Sequence, residues 1–317
     1  MKTVLGFIFC VALFSCKKNN TDNPAFSMWI KVRAETGLQS NEIVDMIFDK
    51  TGNLWAAFAG GVGKYDGKTW TVYKLFPPDP NNANLVNYAQ AIMQDKNGNI
   101  WVTIENKHTT YACMFDGINW TKTWLTNARI YAITQLPNGE IWFLSTGGGA
   151  HILNGNNWSQ SDCNGSCNNS YSVFRDNYNN TWIGGGGSSI KKYDGTTFSN
   201  MKIPYSEVFG GNIVDISQGP SGDLFASMSP GGAWKFNGTE WQRILDPNYP
   251  TGPVLSILED SKGRIWIGTM GKGVLLFDGS KVSEFNLNGE TNYINKILED
   301  KNGVIWLGNN YGLFKYE

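Results

Sequence analysis

The chain has 317 residues, and its 26 lysines and arginines nearly balance its 27 aspartates and glutamates. A chain so close to neutral lacks the global basic field of nucleic-acid-binding proteins, so nucleic acid is excluded as an expected partner. Aromatic residues make up 14% of the chain and glycine contributes 37 residues, while charged residues make up only 17%. This composition favours strands and tight turns over helices.

The first residues have the pattern of an export signal. Lys2 precedes an apolar run, Val4–Phe14, which is too short to span a bilayer but suits the hydrophobic region of a signal peptide. The run ends in Leu13-Phe14-Ser15-Cys16, which resembles the bacterial lipobox, whose cysteine carries the lipid and becomes the mature N-terminus. The alternative is an ordinary cleaved signal peptide with an incidental cysteine. We predict a signal peptide at residues 1–15, lipidation of Cys16 and a polar tether over residues 16–25.

Seven copies of one signature predict a repeat architecture over residues 26–317. Each copy has an apolar run, a polar turn and a closing aromatic, as in Asp49–Trp55 (DKTGNLW). The closing aromatics lie 40 to 46 residues apart, the period of a four-stranded propeller blade; they are Trp55, Trp101, Trp142, Trp182, Phe225, Trp266 and Trp306. Because an aromatic occurs in every copy, these side chains are expected to form the core between blades, not a site.

A second signature predicts the outer hairpin of each blade. Asp-Gly or Asn-Gly between apolar residues, as in Tyr65–Trp70 (YDGKTW), is typical of a tight turn between strands c and d. The seventh unit stops after strand c, at Phe314–Glu317, whereas Met28–Val32 near the N-terminus has the pattern of a strand d. We therefore predict an all-β, seven-bladed propeller closed by this N-terminal strand, since such closure removes an exposed sheet edge.

The repeats resemble the two-component-regulator propeller family. Leu258–Thr269 (LEDSKGRIWIGT) is close to its pattern of an apolar strand, D-x-x-G and W-I-G-T. In that family such propellers form extracytoplasmic sensor regions of hybrid histidine kinases of Bacteroidetes, which detect glycan fragments. The resemblance implies a non-enzymatic sensor or binding module for a glycan or a protein. No kinase region or later transmembrane helix is expected here, so signalling would need a separate partner.

An enzymatic alternative comes from a weaker resemblance to streptogramin lyase propellers, in the segments Ile133–Phe143 and Ile216–Pro220. Those enzymes use histidine and glutamate around a divalent metal. The chain holds 2 histidines, His108 and His151, and neither matches a lyase motif. We therefore expect no metal and no cofactor, and a polysaccharide or streptogramin lyase remains the alternative function. Tyr88, Arg129 and Lys107 keep it open, since some lyases work without histidine.

The strands of each blade are called a to d in chain order. The face that carries the d–a and b–c connections is here called the loop face, and the face with the a–b and c–d turns is called the turn face. The loop face is the candidate binding face because the lengths of its connections vary, whereas the turns of the opposite face are uniform. Aromatic rings, amides and mixed charges on this face suit a carbohydrate or a peptide. At its channel mouth we expect the residue seven before each a–b turn: Glu42, Tyr88, Arg129, Asn169, Asn212, Pro253 and Tyr293. Neighbouring b–c candidates are Lys107, His108, Met270, Lys272, Asn309, Asn310 and Tyr311.

Three cysteines lie within the predicted propeller. Cys163 and Cys167 lie four residues apart, and an oxidising compartment would permit a disulfide between them. Cys113 is then expected to be a buried small side chain. We expect a monomer held in the cell envelope by its lipid, on the periplasmic or outer-membrane surface.

Overall fold

The computed structural model describes residues 29–32, 41–76, 87–106, 108–204, 211–245, 252–285, 287 and 293–316. These residues form 28 strands in seven four-stranded antiparallel sheets, with no helix among them. The predicted all-β propeller of seven blades is therefore confirmed. Within the same ranges, nothing helical has the length and hydropathy needed to cross a bilayer.

The first four blades each take four consecutive strands. Blade one contains β2 (Ile43–Phe48), β3 (Leu54–Phe58), β4 (Gly61–Tyr65) and β5 (Trp70–Tyr73). Blade two contains β6 (Tyr88–Gln94), β7 (Ile100–Asn106), β8 (Thr109–Phe115) and β9 (Trp120–Thr126). Blade three contains β10 (Ile130–Gln135), β11 (Ile141–Ser145), β12 (Ala150–Asn154) and β13 (Asn157–Ser161). Blade four contains β14 (Ser170–Arg175), β15 (Thr181–Gly185), β16 (Ser189–Tyr193) and β17 (Phe198–Lys202).

The last three blades follow the same plan until the ring closes. Blade five contains β18 (Asn212–Gln218), β19 (Leu224–Ser229), β20 (Gly232–Phe236) and β21 (Trp241–Arg243). Blade six contains β22 (Val254–Glu259), β23 (Ile265–Thr269), β24 (Val274–Phe277) and β25 (Val282–Phe285). Blade seven contains β26 (Ile294–Glu299), β27 (Ile305–Asn309) and β28 (Gly312–Tyr316), and its outer strand is β1 (Trp29–Val32).

The ring closes through the N-terminal strand, as predicted. Strand β1 pairs antiparallel with β28, from Trp29 opposite Tyr316 to Val32 opposite Leu313. Blade seven therefore takes its strand d from the N-terminal segment. Pairing the outer edge of β28 in this way covers backbone groups that would otherwise be open to a neighbouring molecule.

Seven clusters of buried side chains lie between successive blades of the described chain, one at each junction. The seven closing aromatics all belong to the buried core, with exposed fractions of 8% or less. In the junction between blades one and two, for example, Trp55 contacts Tyr73, Phe115 and Trp120. The repeat aromatics are thus packing residues, because each blade covers the next one's face.

The glycine of the W-I-G segment has a packing role at three junctions. A Cβ on Gly308 would lie 2.6 Å from Cγ2 of Ile43 in the next blade, closer than real Cβ contacts allow. The same relation joins Gly184 with Ile213 and Gly268 with Ile294. At these junctions, strand b therefore carries a glycine because an isoleucine at the start of the next blade's strand a occupies the space that a Cβ would need.

In blades one, two, four, six and seven, the aspartate that begins the a–b turn accepts a hydrogen bond from the indole N–H of the closing tryptophan. In blade six, Asp260 accepts backbone hydrogen bonds from Lys262 and Arg264, and its second oxygen accepts the indole N–H of Trp266 at 2.8 Å. The carboxylate of Asp95 accepts hydrogen bonds from Asn97, Asn99 and Trp101 in the same way. The first residue of the turn and the closing aromatic are therefore one hydrogen-bonded unit.

Candidate functional site

Each innermost strand contains a β-bulge at the same position of the repeat. In blade one the pairing with β3 shifts between Ile43 and Asp45, which leaves Val44 as the extra residue. A bulged residue is unpaired and bends its strand, so it is aimed differently from its neighbours. The seven bulged residues all line a central channel of about 600 Å³; they are Val44, Gln90, Tyr131, Tyr171, Val214, Leu255 and Asn295.

The bulge ring has a different chemistry on its two sides. In blades three and four, the rings of Tyr131 and Tyr171 lie with centroids 5.7 Å apart. In blades five and six, the same position holds Val214 and Leu255. In blade seven, the amide of Asn295 donates a hydrogen bond to the backbone oxygen of Ile43 at 2.8 Å, which links the last blade to the first.

A charged layer lies directly below the bulge ring. Lys296 extends from blade seven, and its Nζ lies 2.8 Å from Oδ1 of Asp215 in blade five. Desolvation opposes the charge of Lys296, but the carboxylates of Asp215 and Asp45 outweigh this effect and raise the pKa of the lysine. Desolvation also raises the pKa of Asp45, against the opposing influence of Lys296.

Polar side chains of this layer also join neighbouring blades. Asp45 accepts a hydrogen bond from the backbone N–H of Ile92 at 3.1 Å, which links blades one and two. Ser256 donates to Asp215 at 2.8 Å and accepts the N–H of Ile297 at 3.1 Å, which links blades five, six and seven. The charged residues are therefore held by backbone and neighbouring side chains, and the channel wall is preorganised.

One end of the channel lies at the loop face, where each strand a begins. Glu42, which precedes β2, and Asn212, the first residue of β18, line this end, whereas Ile47, Phe174 and Leu298 line the other. Burial raises the pKa of Glu42. The mouth is thus polar and the far end is apolar.

Beside the mouth, Arg129 connects two blades and the channel. Its Nε lies 2.8 Å from Glu105 Oε2 in blade two, and its Nη1 donates to the hydroxyl of Tyr131 at 3.4 Å. Arg129 is therefore an anchor for Tyr131 and does not itself line the channel.

The channel lining differs from the predicted mouth. Of the seven residues expected there, Glu42 and Asn212 line the channel; the other five, which are Tyr88, Arg129, Asn169, Pro253 and Tyr293, do not. The reason is the bulge, which turns the residue two positions later into the channel. Sequence reasoning missed this ring, although the tyrosines at the same repeat position in blades three and four were a visible signal.

Several of the other candidates lie exposed on the loop face. Tyr88 is 39%, Met270 41% and Tyr311 46% exposed, which is high for large apolar side chains. Met270 forms an isolated bridge with Tyr293 from the next blade, and Tyr88 forms one with Ala59. Lys272 is exposed in the turn after Met270.

Asn309, one of the predicted b–c candidates, is buried. Its side chain is 0% exposed, and its Oδ1 accepts the backbone N–H of Tyr311 at 2.8 Å. Asn309 therefore shapes the turn that presents Tyr311 and offers no surface to a ligand.

The long b–c connection of blade two is an extended hairpin and not a loop. The pairing of β7 with β8 continues to Asn106 opposite Thr109, and His108 is exposed at its tip with a φ of 64°. His151 lies elsewhere, in β12 of blade three, where burial lowers its pKa. Lys107 and the predicted lipidation site Cys16 lie outside the described residues.

The d–a connection between blades three and four contains a disulfide. It joins Cys163 and Cys167, and both residues pack into the hydrophobic cluster of that junction. Lys191 of blade four donates hydrogen bonds to the backbone oxygens of Gly165 and Ser166 inside the same loop. Cys113 is buried with a free thiol, whose pKa burial raises to about 12.

Comparison with solved structures shows the same fold in proteins of different activity. The extracellular domain of the hybrid two component system BT4673 from B. thetaiotaomicron superposes with a TM-score of 0.72 at 14% identity, over 91% of this chain and 39% of that one. A streptogramin B lyase gives 0.73 at 16% identity, over 93% of this chain and 99% of its own. PorZ, a surface component of the type-IX secretion system of Porphyromonas gingivalis, gives 0.68 at 18% identity, over 90% and 48%.

This chain thus spans about two fifths of the length of the BT4673 extracellular domain and nearly all of the lyase's length. No curated protein matches its sequence significantly. The family model described as two component regulator propeller matches residues 248–271 and 288–311, in the segments that include strands a and b of blades six and seven. The protein is therefore a seven-bladed propeller in which two segments match the two component regulator propeller model, the family that the sequence pattern resembles.

Proposed function

We propose that this protein is a lipid-anchored, extracytoplasmic binding module whose loop face recognises a glycan or a protein partner. The observation that carries the proposal is the channel of about 600 Å³, one end of which lies at the loop face, where Tyr88, Met270 and Tyr311 are exposed. Ligand pockets are typically concave, of about 300–1,000 Å³, and combine apolar walls with a few fixed polar groups.

The comparisons support an extracytoplasmic role. The hybrid two component system neighbour is an extracellular domain, and PorZ is a surface component, so the fold is used outside the cytoplasm in both. The lipobox-like Leu13–Cys16 segment points to a lipid anchor. Globomycin, or the substitution Cys16→Ala, should move the protein from the membrane fraction to an unprocessed or soluble form. Membrane fractionation that neither treatment changes would contradict the anchor.

The binding role is tested by screening the purified protein against a glycan array and against envelope proteins. Tyr88→Ala and Tyr311→Ala should each weaken a captured interaction at least tenfold. The matched control is Tyr178→Ala, which removes a tyrosine that is 81% exposed on the turn face. Equal weakening by the control, or none by the loop-face variants, would contradict a loop-face site.

A lyase is the alternative, and the same samples test it. Elimination from a uronic-acid polysaccharide or a streptogramin creates a double bond, which absorbs in the ultraviolet. Turnover that Tyr88→Phe or Arg129→Ala abolishes would replace the binding role by catalysis. Saturable binding without a rise in absorbance supports the binding module.

A further inference from the structure

The described ionisable side chains that line the channel compensate one another. Lys296 Nζ lies 2.8 Å from Asp215 Oδ1, and its ammonium is also attracted by Asp45. Burial raises the pKa of Asp45 and of Glu42, which favours the neutral form of both carboxyl groups. A ligand cation would meet the ammonium of Lys296, and a ligand anion would meet the carboxylates around it. A charged ligand group would therefore lose hydration and disturb an ion pair that the protein already makes.

Two tyrosines give one side of the channel an aromatic wall. The rings of Tyr131 and Tyr171 lie with their centroids 5.7 Å apart and their planes inclined at 38°. The b–c turns of the same two blades are rich in glycine, since residues 147–149 and 186–187 are all glycine. These positions place no side chain between the loop face and the tyrosine rings.

An amide stands beside this aromatic wall. The position that a Cβ on Gly186 would take lies 3.7 Å from Cε2 of Tyr171 and 3.4 Å from Oδ1 of Asn212, so the ring and the amide border the same space. Gln90 supplies a second amide from the bulge ring, at the same repeat position as the tyrosines. Primary amides both donate and accept hydrogen bonds, as hydroxyl groups do.

An aromatic face with amides at its edge suits the ring of a neutral sugar. The C–H groups on one face of such a ring pack against tyrosine, whose face carries negative potential, and the hydroxyls around its edge bond to amides. An apolar side chain of a protein would pack against the same tyrosines but would leave the amides buried without partners, which is unfavourable. The lining therefore favours a hydroxyl-rich, uncharged group.

We propose that the channel binds an uncharged sugar ring of a glycan and discriminates against uronic acids and amino sugars. The ring packs on Tyr131 and Tyr171, and its hydroxyls bond to the amides of Asn212 and Gln90. This inference rests on the proposed binding function and names the chemistry of its ligand. It also separates the binding module from a lyase that acts on uronic acids, since such a substrate would bring a carboxylate to the ion pair of Lys296.

The test compares oligosaccharides that differ only in charge. The neutral probes are trisaccharides of glucose, galactose and mannose. Each is paired with the trisaccharide of the corresponding uronic acid and with that of the corresponding 2-amino-2-deoxy sugar. Isothermal titration of the purified protein should show saturable binding of at least one neutral trisaccharide and about tenfold weaker binding of both charged counterparts. Added salt should change the affinity of the neutral probe by less than about twofold, because the ligand forms no ion pair.

Variants place the site in the channel. Tyr171→Ala and Asn212→Ala should each weaken binding of the neutral trisaccharide about tenfold, whereas Tyr171→Phe keeps the ring and should bind nearly as well. The matched controls are Tyr178→Ala and Asn119→Ala, which remove exposed side chains of the turn face and should leave the affinity unaltered. Thermal melting confirms that each variant is folded, and Asn212→Ala at the mouth tests the site even if Tyr171→Ala unfolds.

Equal or tighter binding of a charged counterpart overturns the proposal, as does neutral-probe binding that Tyr171→Ala and Asn212→Ala both leave intact. If a loop-face ligand is captured in the glycan or protein screen but no neutral trisaccharide binds, the channel chemistry is wrong and the binding function stands. If neither experiment yields a ligand, both are overturned.

Discussion

Gly308→Ala places a methyl group in the junction between blade seven and blade one. The new Cβ would lie 2.6 Å from Cγ2 and 3.1 Å from Cβ of Ile43, and 3.5 Å from Sδ of Met46. Ile43 and Met46 are both 0% exposed, so they have no solvent side to move into. Overpacking of this kind costs about 1–3 kcal/mol, and we expect Gly308→Ala to lower the free energy of unfolding by about 2 kcal/mol.

A double-mutant cycle separates the clash from the general cost of substitution. Ile43→Ala alone should destabilise by about 2–5 kcal/mol, because it leaves a cavity. The double variant lacks Cγ2 of Ile43, which is the atom nearest to the new methyl group, and keeps only the Cβ at 3.1 Å. The double variant should therefore be at least 1 kcal/mol more stable than the sum of the single effects predicts.

Urea unfolding of the four proteins, followed by tryptophan fluorescence, measures the cycle. A coupling energy within about 0.5 kcal/mol of zero would refute the reasoning, since distant or independent sites add to that precision. Gly312→Ala is not a suitable control because its φ is 129°. Gly147→Ala is suitable, since a Cβ there meets no other atom within 4 Å, and it should change stability little.

Three further perturbations test the carboxylates and the disulfide. Asp260→Ala removes the acceptor of the buried Trp266 indole and should cost about 3 kcal/mol in urea unfolding, while Asp278→Ala in an exposed turn should cost much less. Partial burial disfavours ionised Asp49, but bonds from Thr51, Asn53 and Trp55 outweigh it and lower its pKa to about 2. Its stabilisation is therefore complete above the ordinary pKa of 3.8 and lost as pH falls towards 2, and Asp49→Asn should remove that part of the acid dependence of the urea midpoint. Replacing both Cys163 and Cys167 by alanine should lower the unfolding free energy by about 2 kcal/mol, since the closed loop is short, and a loss above 5 kcal/mol would contradict this.

The fold was predictable because its information is repeated. Trp55 and its six equivalents recur at the blade period, and all seven are buried as expected. Closure was predictable for a related reason: the seventh unit lacked one strand and a matching strand stood at the other end of the chain. Because the pattern occurs seven times, one exception, such as Phe225 in place of tryptophan, does not hide it.

The channel was harder to predict because it depends on one backbone irregularity. Alternation along a regular strand would send Glu42 and Val44 to the same face, and it gives no reason to prefer Val44 for the channel. The bulge re-aims that residue and brings Tyr131 and Tyr171 together. The burial of Asn309 was also not predictable from the repeat: a polar residue at the end of strand b suggests exposure, yet its side chain accepts the backbone N–H of Tyr311 and supports the following turn from inside.

The hydrogen bonds between neighbouring blades were also not predictable from the repeat. Gln94 accepts the backbone N–H of Lys50 from the preceding blade, and Gln135 accepts that of Lys96. Glu259 and Glu299 take the same role towards Ser221 and Ser261. These contacts join residues about 40 positions apart, so no local pattern reveals them.

Pairing of β1 with β28 also sets the order in which the molecule can be completed. Translation produces β1 before the other described strands and β28 after them, so β1 has no partner until all seven blades have been synthesised. Blades one to six can assemble from consecutive segments, whereas blade seven must wait. A chain truncated anywhere before Leu313 would leave β1 without its partner residues, and every incomplete product would expose that edge to proteases and chaperones of the compartment in which it folds.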